Sequence, residues 1–303
     1  MNTYLLTASV EEPVIAWNLY SYFCNLWKIE GSQSALMMLG AMLLCMISAY
    51  LIGSVNPAII FSNLIYKEDI RSYGSGNAGA TNTLRTYGTK MAVLIFVLDL
   101  VKAAIAVLLG SLILTRSIGG AVSALFVVLG HMFPVYYKFK GGKGVACTAM
   151  CILLLSPVSF VILLALFLLI AVTTRFVSLG SVLCAMLYPL LNRAFYPYEG
   201  WITLSALCTG ALVVFMHREN IKRLMAGKES KFSFKKTDKH AAAEHGGNGN
   251  QSVSEEKSFG EGDFVKCNCG RLIPRSRKEC VYCGEKNPNY APKTDGEKEN
   301  KKK

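Results

Sequence analysis

Charge is scarce in this chain and unevenly placed. Only 17% of its 303 residues are Asp, Glu, Lys or Arg, while 52% are hydrophobic. Between Ala35 and Phe215 the scarcity becomes a pattern of apolar blocks split by short polar stretches, and this distribution excludes an ordinary soluble domain. A cleavable secretion signal is missing as well. Residues 1–34 have no basic start, carry Glu11 and Glu12, and hold no clean apolar run of spanning length. Their aromatics (Trp17, Tyr20, Tyr22, Phe23, Trp27) read instead as an interfacial helix. No internal repeat is evident, which weighs against an inverted-repeat transporter. The net charge of +12 does not point to nucleic acid, because the basic residues cluster between apolar blocks, as in orienting cytoplasmic loops.

The apolar blocks predict an all-α membrane protein of about seven transmembrane helices: Ala35–Ile60, Met91–Leu114, Ala121–Tyr137, Val145–Leu155, Val158–Val172, Phe176–Leu191 and Trp201–Met216. With the N-terminus outside, Lys67, Arg71, Arg85, Lys90, Lys138, Lys140, Lys143 and Arg175 fall in the cytoplasm, against Lys28, Arg116 and Arg193 outside. Under the positive-inside rule that bias sets the orientation, and an odd span count puts the C-terminal tail in the cytoplasm. The polar segments then gather on one face, which suggests one shared site.

Three of these segments carry the chemistry. Asp69–Gly88 (DIRSYGSGNAGATNTLRTYG) is rich in glycine, amides and hydroxyls, with Arg71 and Arg85 near its ends, and can wrap an anion. Its Gly74-x-Gly76-x-x-Gly79 is not a dinucleotide fingerprint, since no buried strand precedes it. In Lys138–Gly144 (KFKGGKG), Gly141, Gly142 and Gly144 let backbone approach a phosphate beside Lys143 and a helix N-terminus. No Ser or Thr follows Gly142-Lys143, so this is not a nucleotide-hydrolysing loop. In HRENIKRLMAGKE, His217 and Asn220 share one helical face and suit the orientation or deprotonation of a hydroxyl. Ser54, before Asn56-Pro57, sits where freed backbone groups can face a cavity. Asp99 and Lys102 read as a structural intramembrane pair.

Together YLIGSVNPAII, DIRSYGSGNAGATNTLRTYG, GHMFPVYYKFKGGKGVA, TTRFVSLGS and HRENIKRLMAGKESK closely resemble the bacterial acyl-phosphate:glycerol-3-phosphate acyltransferases (the PlsY family). The resemblance covers about Ala35 to Lys231. It implies transfer of a fatty acyl group from acyl phosphate to the 1-hydroxyl of glycerol 3-phosphate. The products are lysophosphatidic acid and phosphate, the first acylation of phospholipid biosynthesis, at the cytoplasmic face of the bacterial inner membrane. It assigns Ser54 and Arg71 as essential, Gly141–Gly144 as the glycerol-phosphate loop, His217 and Asn220 as the catalytic pair, and Glu229 as structural. Lys143, Arg85 and Ser178 then bind phosphate or substrate. Cys147 stands where threonine is usual. An acyl phosphate is already activated, so the work is positioning and electrostatics, with no catalytic cofactor and no acyl-enzyme. The hydroxyl proton goes to His217 or to a substrate phosphate oxygen. The competing expectation is an organic-anion or phosphate transporter.

Beyond the resemblance, residues 234–263 read as a polar linker and 293–303 as a basic tail. Between them Cys267-x-Cys269 and Cys280-x-x-Cys283 read as a zinc-ribbon-like site with four thiolate ligands, since clustered thiols in a reducing compartment bind metal more readily than they cross-link. Arg271, Arg275, Arg277 and Lys278 are placed to meet a protein partner or anionic lipid headgroups.

Overall fold

The computed structural model describes residues 18–231, together with 264–266 and 272–274. The chain divides into two compact units, Met1–Gly247 and Asn248–Lys303.

In the first unit every apolar block is helical. α1 (Leu19–Leu26) is eight residues, with the Asn18 side chain accepting from Ser21 N–H as its cap. α2 (Ser32–Ser54) stops where Val55 and Asn56 turn extended. Asn56 then caps α3 (Pro57–Phe61), whose first residue, Pro57, has no N–H to leave orphaned. The first expected span is therefore broken next to Ser54. α4 (Ala80–Tyr87) closes the glycine-rich segment. α5 (Thr89–Ile113), α6 (Ala121–Met132), α7 (Val145–Leu155), α8 (Pro157–Thr174), α9 (Val177–Phe195) and α10 (Gly200–Met216) follow, and α11 (Arg218–Met225) is the last helix among the described residues.

Among the described residues, five stretches are long and apolar enough to cross a membrane: Ser32–Tyr66, Thr89–Ile113, Arg116–Tyr137, Pro157–Thr174 and Val177–Phe195. α10 joins them only when counted with α11, across a 56° bend. At 11 residues, α7 covers about 17 Å, roughly half of a hydrocarbon core. Large side chains face outward: Leu36, Val172 and Leu190 are 72%, 74% and 66% exposed. Small ones, Ala49, Ala103, Ala106, Ala121 and Ala124, fill the interior. That inversion is how helices pack when the surroundings are as apolar as the core. α2 and α6 touch most closely. A Cβ on Gly53 would sit 2.2 Å from Val127 O, and one on Gly130 2.2 Å from Tyr50 O, so only glycine permits this crossing.

Helix ends collect at two poles. At one, Arg116 donates to Leu155 O at 2.7 Å, Ser117 bonds Glu199, and Asn192 bonds Ser156 and Thr203. At the other, the loops around residues 75–85, 143–146, 177–181 and 217–230 enclose one cavity. The chain therefore runs up and down between the poles. In the second unit the described residues form two antiparallel strands, β1 (Phe264–Lys266) and β2 (Leu272–Pro274), with Val265 opposite Ile273. Cys267, Cys269, Cys280 and Cys283 lie outside the described residues.

Candidate active site

The cavity holds about 220 Å³ and is lined by Arg85, Lys143, Gly144, Ser178, His217, Asn220 and Glu229, all named from the sequence. Glu229 is its hub. Its carboxylate accepts from Asn220 Nδ2 at 2.6 Å, Ser178 Oγ at 2.7 Å and Arg223 Nε at 2.8 Å. Burial alone would raise its pKa, but these three donors and the Arg223 charge outweigh it and hold the group ionised below the usual carboxylate range. With Nδ2 fixed on Glu229, Asn220 turns Oδ1 to Lys143 Nζ. One chain of contacts thus runs Arg223–Glu229–Asn220–Lys143.

The cations in the cavity are under strain that an anion would relieve. Burial, then the nearby Arg223 and Arg85 charges, push Lys143 down to about 8. Arg85 is lowered too, mainly by burial. It makes no hydrogen bond or ion pair among the described residues. His217, at the break between α10 and α11, donates from Nδ1 to Val213 O at 2.8 Å. Its Nε2 then keeps a lone pair, and burial followed by the Lys143 charge holds the ring neutral, with its pKa lowered to about 4.

Ser54, Arg71, Gly141 and Gly142 stand behind the lining. Arg71 forks onto Asp69 at 2.6 to 3.0 Å and donates from Nη1 to Tyr137 O and Lys140 O, both at 2.9 Å. Its hydrogen-bonding partner Asp69 is held ionised in return. Ser54 is fully buried, and its Oγ accepts from Val135 N–H at 3.4 Å. Both residues therefore grip the segment that carries KFKGGKG. Gly141 and Gly142 donate to Met132 O and His131 O at 3.1 Å. A Cβ on Gly142 would lie 2.3 Å from His131 Nε2, which gives that glycine its reason.

Sequence reasoning did not single out Ser75, Asn82 or His131 for the site, and it gave Asp99 a structural role only. Ser75, Asn82, Asp99 and His131 also face the cavity. Asn82 accepts from Ser75 N–H and donates to Ile70 O, Tyr73 O and Asn77 O, pinning the glycine-rich segment. The repeated Asn in GNAGATNT was its signal. Asp99 and Lys102 do pair, at 2.9 Å, but the pair extends to His131. Asp99, His131 and Cys147 bring three metal-ligand atoms within 4.8 Å. The Lys102 ammonium already stands there, 2.9 Å from both Asp99 Oδ1 and His131 Nδ1, so the place of a cation is filled. Cys147 donates to Asp99 O behind the wall, so the departure from threonine does not reach the cavity lining.

An up-and-down membrane bundle with a buried cationic cavity at one pole is the class these features define. A family model described as Glycerol-3-phosphate acyltransferase matches residues 43–227. The chain belongs to the glycerol-3-phosphate acyltransferase family, and it is a membrane acyltransferase. A glycerol-3-phosphate acyltransferase of Thermoanaerobacter sp. (strain X514) is 44% identical over 189 residues, 62% of this chain and 94% of that relative. Among solved structures, PlsY (YgiH), an integral membrane glycerol 3-phosphate acyltransferase, matches in its glycerol 3-phosphate form at 37% identity and a TM-score of 0.57, over 63% of this chain and 96% of that one. Its lysophosphatidic acid form matches at 36% and 0.57, over 64% and 96%.

Proposed function

We propose that this chain moves a fatty acyl group from acyl phosphate to the 1-hydroxyl of glycerol 3-phosphate. The observation that carries the reading is the joining of two unlike spaces. The cationic cavity shares Phe96, Val145, Ala146, Phe167 and Ser181 with an apolar groove of about 170 Å³, which continues past Phe160, Leu163 and Leu164. Phosphate belongs in the first space and an acyl chain in the second, so the scissile bond falls at their junction.

Lys143 and Arg85 neutralise the phosphates and hold the two anions together. Asn220, locked by Glu229, fixes where Lys143 points. The hydroxyl oxygen attacks the acyl carbonyl carbon, the carbon–oxygen bond to phosphate breaks, and inorganic phosphate leaves with that electron pair. The hydroxyl proton goes to His217 Nε2, whose lone pair is free, or to a phosphate oxygen. Ser54 and Arg71 enter the reaction through the glycine segment they grip. Purified full-length protein should release phosphate and form lysophosphatidic acid from palmitoyl phosphate plus glycerol 3-phosphate, and neither product when glycerol 3-phosphate is withheld. Absence of phosphate release with both substrates present sinks the reading.

The finer topology belongs to the same proposal. The alternation of helix ends between poles supports seven crossings with α7 as a short one, and the bias of Lys and Arg toward one side supports the N-terminus outside, with cavity and tail in the cytoplasm of a bacterial inner membrane. Residues 35–233 are the acyltransferase domain, and α1 within residues 1–34 is too short to span. Residues 264–292 form the zinc-ribbon-like module, where β1 and β2 flank Cys267 and Cys269 in sequence. Single cysteines at 116 and 231, in a background without other cysteines, test the orientation with an impermeant thiol reagent on intact cells. Position 116 should label and 231 should not.

A further inference from the structure

Two histidines line the cavity, and what stands behind each ring differs. Behind His217 Nδ1 is the Val213 carbonyl, which only accepts, so the proton sits on Nδ1 and Nε2 is bare. Behind His131 Nδ1 is the Lys102 ammonium at 2.9 Å, which only donates. His131 Nδ1 must therefore accept, and the ring proton sits on Nε2. Asp99 Oδ1 is farther from that nitrogen, at 3.3 Å. Were the ring to gain a second proton for this carboxylate, Nε2 would still keep its own.

Lys102 is fixed in this position. Besides Asp99 and His131, its ammonium reaches Val55 O at 2.8 Å and Gly53 O at 3.1 Å, the carbonyls freed where α2 breaks. It thereby ties the broken helix to His131. The His131 ring is 3% exposed, lines the cavity, and carries Nε2 against Gly142, where only a missing side chain leaves room.

We infer that His131 is a further substrate-binding residue, an Nε2–H donor to a phosphate oxygen, with Lys102 and Asp99 as the positioning residues that hold it as a donor. The inference rests on the acyl-transfer reading and adds a role to it. Glycerol 3-phosphate and acyl phosphate offer the same phosphate chemistry, and separate KM values for each identify which one His131 holds.

The test uses full-length protein in detergent. In His131→Asn the amide reaches only the Nδ1 position, and KM for one phosphate substrate should rise on the order of tenfold with the loss of one charge-assisted hydrogen bond. In His131→Gln the amide N–H reaches the Nε2 position and should recover most of that loss. Nitrogen NMR of the histidine rings should show His131 protonated at Nε2 in the wild type, and Lys102→Met should release it toward Nδ1–H facing Asp99. Unchanged KM values in His131→Asn overturn the inference, as does Gln impaired to the same extent as Asn, or a bare Nε2 in the wild type. Should His131→Asn fail to fold, the Gln variant and the wild-type NMR still decide. Should the wild type release no phosphate, the acyl-transfer reading falls separately. Calorimetric titration of glycerol 3-phosphate and of inorganic phosphate into wild type and His131→Asn, beside the NMR, then decides whether His131 donates.

Discussion

The two poles of the helical domain are both polar, and they differ in whether the chain completes its own contacts. At the far pole Arg116, Ser117, Ser156, Asn192, Glu199 and Thr203 are satisfied by one another or by backbone. At the cavity pole Arg85 has no partner of that kind among the described residues, and Lys143 hydrogen-bonds only Asn220 there. Polar groups inside a lipid-facing bundle need partners. Where the chain supplies all of them the cluster is structural, and where it withholds them a ligand is the missing partner.

The comparison breaks most visibly if cavity-pole variants behave like far-pole ones. Asn220→Ala and Lys143→Met should each lower turnover on the order of a hundredfold, by removing a contact made to reacting phosphate or the group that aims it. Arg71→Ala should fall comparably, though it acts from behind the cavity by releasing the loop at Tyr137 and Lys140. Thermal midpoints in detergent should move little for Asn220→Ala and Lys143→Met. Near-normal kinetics in all three variants would remove the site assignment.

A smaller effect should appear with pH. Lys143 titrates at about 8 in the free enzyme because burial and the Arg223 and Arg85 charges disfavour its protonated form. Its attraction for phosphate is present below that pH and lost above it, so KM for glycerol 3-phosphate should climb through the alkaline range. Lys143→Arg keeps its charge there and should flatten the climb, even if its longer fork binds less well. An identical climb in both proteins means that another group titrates.

Much of this architecture was legible from local chemistry. Apolar blocks such as Met91–Leu114 and Val145–Leu155 fall within one or two residues of α5 and α7, because length and hydropathy are written in consecutive residues. His217 and Asn220 were legible as a pair and both reach the cavity, but they do not share the face of one helix: His217 stands at the break between α10 and α11, and only Asn220 lies within α11. Arg71 and Ser54 were harder. Their residue types suit an anion, yet whether they face the cavity or its supports depends on Tyr137, Lys140 and Val135, which are distant in sequence. His131 was harder still: one histidine at the end of an apolar helix carries no signal until Lys102 and Gly142 stand around it.

At the far pole, Asn192→Ala should cost stability and leave chemistry alone. Asn192 is fully buried and holds both Ser156, at the turn between α7 and α8, and Thr203 on α10. Its loss takes the acceptor from the buried Ser156 hydroxyl and leaves Thr203 Oγ1 with its bond to Glu199 O alone, at a cost of about 1–3 kcal/mol. The thermal midpoint should drop while KM for both substrates stays put, and a raised KM would show that the poles are coupled.

The smallest expected effect on catalysis comes from removing the tail. Among the described residues the helices and the cavity lining end by Lys231, and the family match ends at residue 227. A chain cut after Ser233 should therefore keep its turnover. What it should lose is metal. Cys267, Cys269, Cys280 and Cys283 are enough for a closed tetrahedral zinc site with no open position, so the metal proposed for the tail is a structural one, whose binding would supply folding energy to a segment with little apolar content. Metal analysis should find one zinc per full-length chain and none in the truncated one. Equal zinc in both, or none in either, removes the metal site, and an inactive but folded truncation would place the tail within the enzyme.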